Sequence, residues 1–359
     1  MVLILVYWYL LQGCYDSFRS FGSGEYKLGE ADPARMPDTD IIVAAKNEQD
    51  NIAMLADSIN SQTHKSSRLI FVDDHSTDST ADEARRLFQP PHSVIESCGK
   101  GKKDALRTGI AQSTGEYILS TDADCFPRPR WAELMVAAAQ LTDADMVMAP
   151  VIIEPIDSGK LFQRLQTVES FAMITITGGT CLQGRPVMCN GGNIGYRASF
   201  LKGNADGMNK KYASGDDMFM METASRKSRR FAYVRHPDAV IRTKGVATLK
   251  ALLNQRARWV SKTGGYTSKY ILFFAFVILL GNLAAIASLV LPLLGIMPWW
   301  AGALVWIAKG FTDAGSALAS ASFYGERLRF WDVVLLEICY PFYVVASVAS
   351  ALTRGFKWK

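Results

Sequence analysis

The chain has 359 residues, 49% of them hydrophobic, and 39 Lys and Arg against 34 Asp and Glu give a formal charge of +5. That length allows one large domain or two ordinary ones, and the balance excludes both a disordered chain and a strongly basic nucleic-acid binder. Six cysteines without a C-x-x-C pair and four histidines without metal-ligand spacing exclude a disulfide framework and a zinc site, and suit a cytosol-facing protein.

Residues 1–11 are wholly apolar but only about half a bilayer long at helical rise. They lack a basic leader and a small-residue cleavage site, so they read as the tail of a membrane anchor that starts upstream, or as an interfacial segment. Residues 12–38, punctuated by Gly, Ser and Pro, read as a linker. From Asp40 onward strands and helices alternate. Residues 41–45 are a continuous apolar run, as a buried parallel strand requires, and Lys46, Asn47 and Glu48 end it. Ile52, Leu55 and Ile59 mark a helix face. Residues 69–72 form the next strand, ended by the polar run 73–78, whose Asp, Ser and Thr suit the cap of a following helix. A basic glycine loop, 99–103, leads into a helix carrying Ala105, Leu106 and Ile110. The strand 117–119 then runs into Asp122 and Asp124, a helix carries Trp131, Leu134, Met135 and Ala138, and 146–149 is a further strand. Such alternation implies an α/β domain with a mostly parallel central sheet.

Beyond it, 158–182 reads as an amphipathic helix for a membrane surface or for a core. Asn190-Gly-Gly-Asn193 marks a tight turn or a close backbone approach. Short strands are expected at 194–196, 231–234 and 239–241, and a helix follows Ser214, Gly215, Asp216 and Asp217 through Met221. Gln255, Arg258 and Trp259, spaced i, i+3 and i+4, share one helix face. Residues 270–292 are free of charge and long enough to span a bilayer; 298–322 is a weaker span carrying Lys309 and Asp313; 331–352 is a third. The basic residues before Tyr270 place the soluble domain in the cytoplasm. Three crossings would leave Arg354, Lys357 and Lys359 outside, against the same rule, a conflict that a re-entrant or interfacial segment would remove.

The chemistry concentrates on one stretch. A strand that delivers Asp122 and Asp124 to open space is a ready site for Mg²⁺ or Mn²⁺, hard cations that take oxygen ligands and share them with a substrate diphosphate. An Asp-x-Asp arises by chance about once in a chain this size, and this chain holds a second copy, Asp143 and Asp145. The second precedes its strand, whereas open α/β sheets bind ligands outside the carboxyl ends of strands, which favours the first. Asn47-Glu48 and Asp73-Asp74 also stand at carboxyl ends. One acidic cap is ordinary; three on one edge point to a cleft for a polar ligand, with a metal balancing charge. Helix capping is the competing reading for each, and is preferred for Asp78. The glycine loop lacks the Ser or Thr of a P-loop, and no G-x-G-x-x-G follows the first strand.

The ordered set Lys46-Asn47-Glu48, Asp73-Asp74, Asp122-x-Asp124, Asp216-Asp217 and Gln255-x-x-Arg258-Trp259 resembles the membrane-bound family 2 glycosyltransferases, the group of cellulose, chitin and hyaluronan synthases and ceramide glucosyltransferase. The resemblance covers roughly residues 38–265. It implies a GT-A nucleotide-diphospho-sugar transferase domain at 39–265, followed by a membrane region at 266–359. It further implies donor contacts from Asn47, Glu48, Asp73 and Asp74, and Lys102 or Lys103 near the nucleotide. Asp122 and Asp124 would hold Mg²⁺ or Mn²⁺, with Asp124 the closer ligand. Asp217 would be the general base, and Gln255, Arg258 and Trp259 would close over diphosphate and acceptor. The family more often has Glu-Asp where this chain has Asp216-Asp217, which leaves the first acid's role open. The expected partners are a nucleotide sugar, UDP-linked by preference, a lipid or glycan acceptor, and the inner face of the cell membrane; no nucleic acid is expected. Single-sugar transfer is favoured over processive synthesis, since so few spans are sparse for a polymer channel. An inactive nucleotide-binding scaffold and a transporter are the readings from other classes.

Overall fold

A computed structural model describes residues 2–20, 36–208 and 215–353. Residues 21–35 of the expected linker, Met1, Ser214, Arg354, Lys357 and Lys359 lie outside the described residues. In chain order the elements are α1 (Val2–Ser20), β1 (Thr39–Ala45), α2 (Gln49–Asn60), β2 (Ser67–Asp73), α3 (Thr80–Leu87), β3 (Ser93–Glu96), α4 (Lys102–Gln112) and β4 (Tyr117–Asp122). They continue with α5 (Trp131–Thr142), β5 (Met146–Met148), β6 (Val151–Glu154), α6 (Leu161–Leu182), β7 (Ile194–Arg197), α7 (Ala198–Lys202) and α8 (Asp216–Arg226). β8 (Phe231–Tyr233), β9 (Ile241–Lys244), α9 (Leu249–Ser261), α10 (Lys269–Leu293), α11 (Trp299–Phe323) and α12 (Phe330–Thr353) complete the chain.

These elements form two compact units, one drawn from Phe21–Ile152 and Met188–Thr243, the other from Met1–Ser20, Ile153–Val187 and Lys244–Lys359. The division differs from the contiguous 39–265 domain expected above, because α6 and α9 cluster with the long C-terminal helices.

The first unit is built on a seven-stranded sheet of order β3-β2-β1-β4-β7-β5-β8. β3, β2, β1 and β4 run parallel, and β7 is antiparallel to both β4 and β5. Ile41, Ile42, Val43 and the run Leu69, Ile70, Phe71, Val72 are all buried, the consequence of helices on both faces of a parallel sheet. β3 carries no apolar run and is only partly buried, which is why the sequence pattern passed over it. The antiparallel β7 fixes the site's geometry. Its register, Ser120 opposite Ile194, sets the turn 190–193 beside the carboxyl end of β4. That turn is pinned by Asn193, fully buried. Its Oδ1 accepts from Trp131 Nε1 at 2.8 Å, and its amide donates to the carbonyls of Pro150 and Ala239, each at 2.8 Å. The strand expected at 239–241 lies further on. Pro237–Ala239 forms a 3-10 turn, with Pro at its first position, and β9 begins at Ile241.

In the second unit α1 runs nine residues past the expected anchor, to Ser20. Ile4, Tyr7, Leu11, Cys14 and Phe18, three or four apart, form one buried stripe that carries the helix through the supposed linker start. A side chain at Gly179 of α6 would sit 2.2 Å from the Cys14 carbonyl oxygen, so this close approach of α1 and α6 requires glycine. α6 takes the core alternative rather than the surface one. Its Thr175 hydroxyl donates to Ser316 O at 2.6 Å, and its Phe171 carbonyl accepts from Ser320 at 2.6 Å. Among the described residues two helices, Lys269–Leu293 and Phe330–Leu352, are long and apolar enough to cross a membrane. α11, the weaker span of the sequence reading, falls short. Its Lys309 is fully enclosed and held by Asp313 at 2.5 Å and Glu337 at 3.2 Å, while Tyr7 donates to Asp313 at 2.6 Å. A buried ammonium persists only with such partners.

Candidate active site

The loops that leave β1 and β2 lock together at the carboxyl edge of the sheet. Asn47 adopts a left-handed φ of 55°, its N–H donates to Ser76 Oγ at 3.0 Å, and its Oδ1 accepts from Thr77 N–H at 2.8 Å. The Asn47 side chain therefore builds the loop. Glu48 N–H donates to Thr80 Oγ1 at 2.7 Å, and the Glu48 carboxylate accepts from Asn51 at 2.6 Å. Burial raises the Glu48 carboxyl above its ordinary range, and Asp124 and Asp122 push in the same direction. Asp78, just ahead of the N-cap Ser79, accepts the N–H of Thr80, the first residue of α3, at 2.9 Å.

Asp73 and Asp74 are both buried. Asp74 accepts the N–H of Gly101 at 2.8 Å, which folds the glycine loop onto β2; Gly101 has φ +93°, open to glycine and strained for other residues. Asp73 uses one oxygen on Ser76 N–H at 3.1 Å, while its Oδ1 is buried with no partner. A buried acceptor left unpaired is costly and points to a ligand donor that completes it.

The two lysines that follow separate. Lys102 ion-pairs with Asp122. Lys103, the other residue expected near the nucleotide, is 7% exposed, with its ammonium on Met208 O at 2.6 Å and over the Phe219 ring at 5.2 Å. It is committed to the fold, because the first turn of α4 points successive side chains to different sides.

Asp122 ends β4, and Asp124 and Cys125 follow on the turn, with ligand atoms of all three within 4.8 Å of one another. Thr243 donates to Asp124 at 3.4 Å. α8 opens after Gly215 (φ 90°) and presents Asp216 and Asp217 in its first turn, where the N-terminal dipole favours acids. Asp217 Oδ2 accepts from Gly191 N–H at 2.9 Å and Oδ1 from Met218 N–H at 2.7 Å. A Cβ on Gly191 would lie 3.3 Å from Asp217 Oδ2, and one on Gly192 3.3 Å from Asp122 Oδ2. The glycine pair is thus a backbone wedge between the two acids. Sequence reasoning saw the turn but not what it touches, because only the antiparallel pairing of β7 brings it there.

Asp124 and Asp216 are both raised above the ordinary aspartate range by burial, which outweighs the opposing pull of Lys102. Burial works against the Lys102 charge, yet Asp122, Asp216 and Asp217 hold it above the ordinary lysine range. Four carboxylates about one ammonium leave an excess of negative charge. The Asp122 and Asp124 oxygens fit a hard divalent cation, and Cys125 beside them is a protonated thiol, held far above its ordinary range by burial.

The twin motif lies at the other edge. Asp143 is a left-handed cap after α5, paired with Arg197 at 2.5 Å and with Arg230, while Asp145 lies near Arg197 at 3.9 Å and Arg229 at 3.8 Å. Gln255, Arg258 and Trp259 all sit on α9, in the helical unit. There Gln255 Oε1 accepts from Arg256 at 3.1 Å, and the Arg256 guanidinium lies 4.0 Å from the Trp259 ring centroid.

The sheet order, the acids on its carboxyl edge and the helices over both faces define a GT-A fold. Residues 40–203 match the family model described as Glycosyl transferase family 2. Among curated proteins, Glycosyltransferase AglE of Haloferax volcanii is 29% identical over 143 residues, 38% of this chain and 47% of that protein. Probable glycosyltransferase YdaM of Bacillus subtilis is 29% identical over 135 residues, 35% of this chain and 32% of that protein. The chain thus spans about half or less of the length of these relatives. Among solved structures, a mannosyltransferase, PcManGT of Pyrobaculum calidifontis in complex with GDP-Man and Mn²⁺, shares the fold at a TM-score of 0.55 and 17% identity, covering 98% of this chain and 99% of that one.

Proposed function

We propose that the protein is an inverting glycosyltransferase that moves one sugar from a nucleoside-diphosphate donor to a lipid-linked or glycan acceptor at the cytoplasmic face of the inner membrane. The observation that carries this reading is the gathering of Asp122, Asp124, Asp216 and Asp217 about Lys102 on the edge that also holds Asp73 and Asp74. In this reading Asp73 and Asp74 take the ribose and base, the unpaired Asp73 oxygen receiving a donor hydroxyl or ring N–H. Asp122 and Asp124 would hold Mg²⁺ or Mn²⁺, which would supply charge neutralisation to the departing diphosphate. Lys102 adds a second positive charge there. Asp217, its carboxylate oriented by Gly191 N–H, takes the proton of the acceptor hydroxyl as the new bond forms. A single base on the face opposite the leaving group gives inversion. Arg258 serves the diphosphate, for which its planar fork is suited, and Gln255 and Trp259 close over the acceptor.

α10 and α12 are the proposed membrane anchors. Processive synthesis is the second reading within the class, and two spans disfavour it.

The test is a donor panel. Detergent-purified protein with Mn²⁺ or Mg²⁺ is offered UDP-glucose, UDP-N-acetylglucosamine and GDP-mannose with membrane lipid, and released nucleotide and glycosylated lipid are measured. Transfer from one donor, lost on chelation, supports the reading. No transfer from any donor by well-folded protein rejects it.

A further inference from the structure

Arg256 lies inside the segment Gln255-Arg256-Ala257-Arg258-Trp259, between residues to which the proposed function gives roles, and has none itself. We infer that Arg256 is the positioning residue of this segment. It fixes Gln255 and Trp259 and ties them to α6 and α12.

The geometry is specific. The Arg256 side chain is 7% exposed, as is that of Glu169, its ion-pair partner at 2.6 Å on α6. Its Nε donates to the Tyr343 hydroxyl on α12 at 2.5 Å. A further guanidinium nitrogen donates to Gln255 Oε1 at 3.1 Å, and the guanidinium carbon lies 4.0 Å from the Trp259 ring centroid. One planar cation therefore has two anchors outside α9 and two dependents on it. Each contact uses a different part of the fork, which an ammonium cannot reproduce.

Stability alone does not account for this arrangement. A buried Arg–carboxylate pair gains little over apolar side chains of the same volume, because desolvation offsets the attraction. What it supplies is direction. The Gln255 amide is turned by a donor on its carbonyl, and the Trp259 ring is held against the guanidinium, 4.0 Å from its centroid. Arg258, two positions on, leaves α9 on another side. The helix thus presents Arg258 while Arg256 sets its rotation against α6 and α12. Since α12 is a proposed membrane anchor, the segment's orientation is referred to the bilayer through Tyr343.

The inference rests on the reading in which Gln255, Arg258 and Trp259 close over diphosphate and acceptor, and its test separates the two. Wild type, Arg256→Lys, Tyr343→Phe and Arg258→Lys are purified as full chains in detergent. Thermal unfolding gives the folded fraction, and nucleotide release from the donor panel gives kcat and KM. Misplacing a closing residue by about an ångström costs up to about a hundredfold in rate. Arg256→Lys is expected to lower kcat by about tenfold and to raise the KM for the sugar donor several-fold, with Tyr343→Phe moving both less and in the same direction. A purely structural role lowers only the active fraction and leaves KM unmoved. Unchanged KM in both variants, with kcat tracking the folded fraction, overturns the inference while leaving the transferase reading intact. If Arg256→Lys does not fold, Tyr343→Phe alone decides by the same criterion. A folded wild type that uses none of the donors overturns both.

Discussion

Replacing Asp217 by Asn removes the proposed base and little else. The side chain keeps its shape and one oxygen, but that oxygen can serve either Gly191 N–H or Met218 N–H, where the carboxylate serves both at 2.9 and 2.7 Å. The amide nitrogen then faces a backbone donor, a loss of about 1 kcal/mol of stability, within what a folded domain tolerates. The catalytic loss is larger. A positioned base contributes about 10²- to 10⁴-fold, or about 3–5 kcal/mol of barrier. Asp217 is not among the metal-ligand atoms gathered at Asp122 and Asp124, so nucleotide binding should survive. The assay pairs calorimetric binding of UDP or GDP with Mn²⁺ against initial rates of nucleotide release. The expected outcome is intact binding with turnover lost by at least about a hundredfold. Near-normal turnover with intact binding would refute Asp217 as the base.

Asp124→Ala should abolish Mn²⁺-dependent UDP or GDP binding, whereas Asp145→Ala, which removes an arginine partner at the opposite edge, should leave it intact in the same titration. Gly192→Ala places a Cβ 3.3 Å from Asp122 Oδ2 and 3.4 Å from Cys125 Sγ, so it should weaken Mn²⁺ binding with the fold retained, as read by calorimetry and circular dichroism. Asp216→Asn should raise the unfolding temperature at neutral pH. Because burial raises the folded-state pKa of Asp216, wild type binds extra proton when folded and loses stability as pH rises through that raised value. The variant escapes that loss, so thermal melts of the two should differ at pH 7.5 and converge near pH 3.5, below the ordinary aspartate value of about 3.9.

Much of the acidic carboxyl edge of the sheet was legible because short-range rules govern it. Continuous apolar runs followed by acids mark parallel strands that end in a cleft, and the position of Asp122 and Asp124 after their strand, against Asp143 and Asp145 before theirs, separated the two copies without coordinates. What stayed hidden depends on pairing across long sequence distances. Nothing local tells that β7 runs antiparallel between β4 and β5, so Gly191 and Gly192 read as a tight turn or a close backbone approach, without naming Asp122 and Asp217 as the groups approached. Adjacent Lys102 and Lys103 look equivalent until the helix sends one to Asp122 and the other to Met208. The pattern of α6 fits a membrane surface or a core, and that of α11 fits a weak span. Their place in a helical unit follows from partners such as Lys309 with Glu337, 28 residues apart, and Arg256 with Glu169, 87 apart.

Asp122 and Asp124 are proposed to hold together a divalent cation shared with a nucleoside diphosphate. Electron paramagnetic resonance of Mn²⁺ with the detergent-purified full chain tests it most directly. Adding UDP or GDP should draw Mn²⁺ out of the free-ion signal with wild type to a greater extent than nucleotide alone, and an Asp122→Asn, Asp124→Asn double variant should lose that extra uptake. Equal uptake by wild type and the folded double variant would contradict the account.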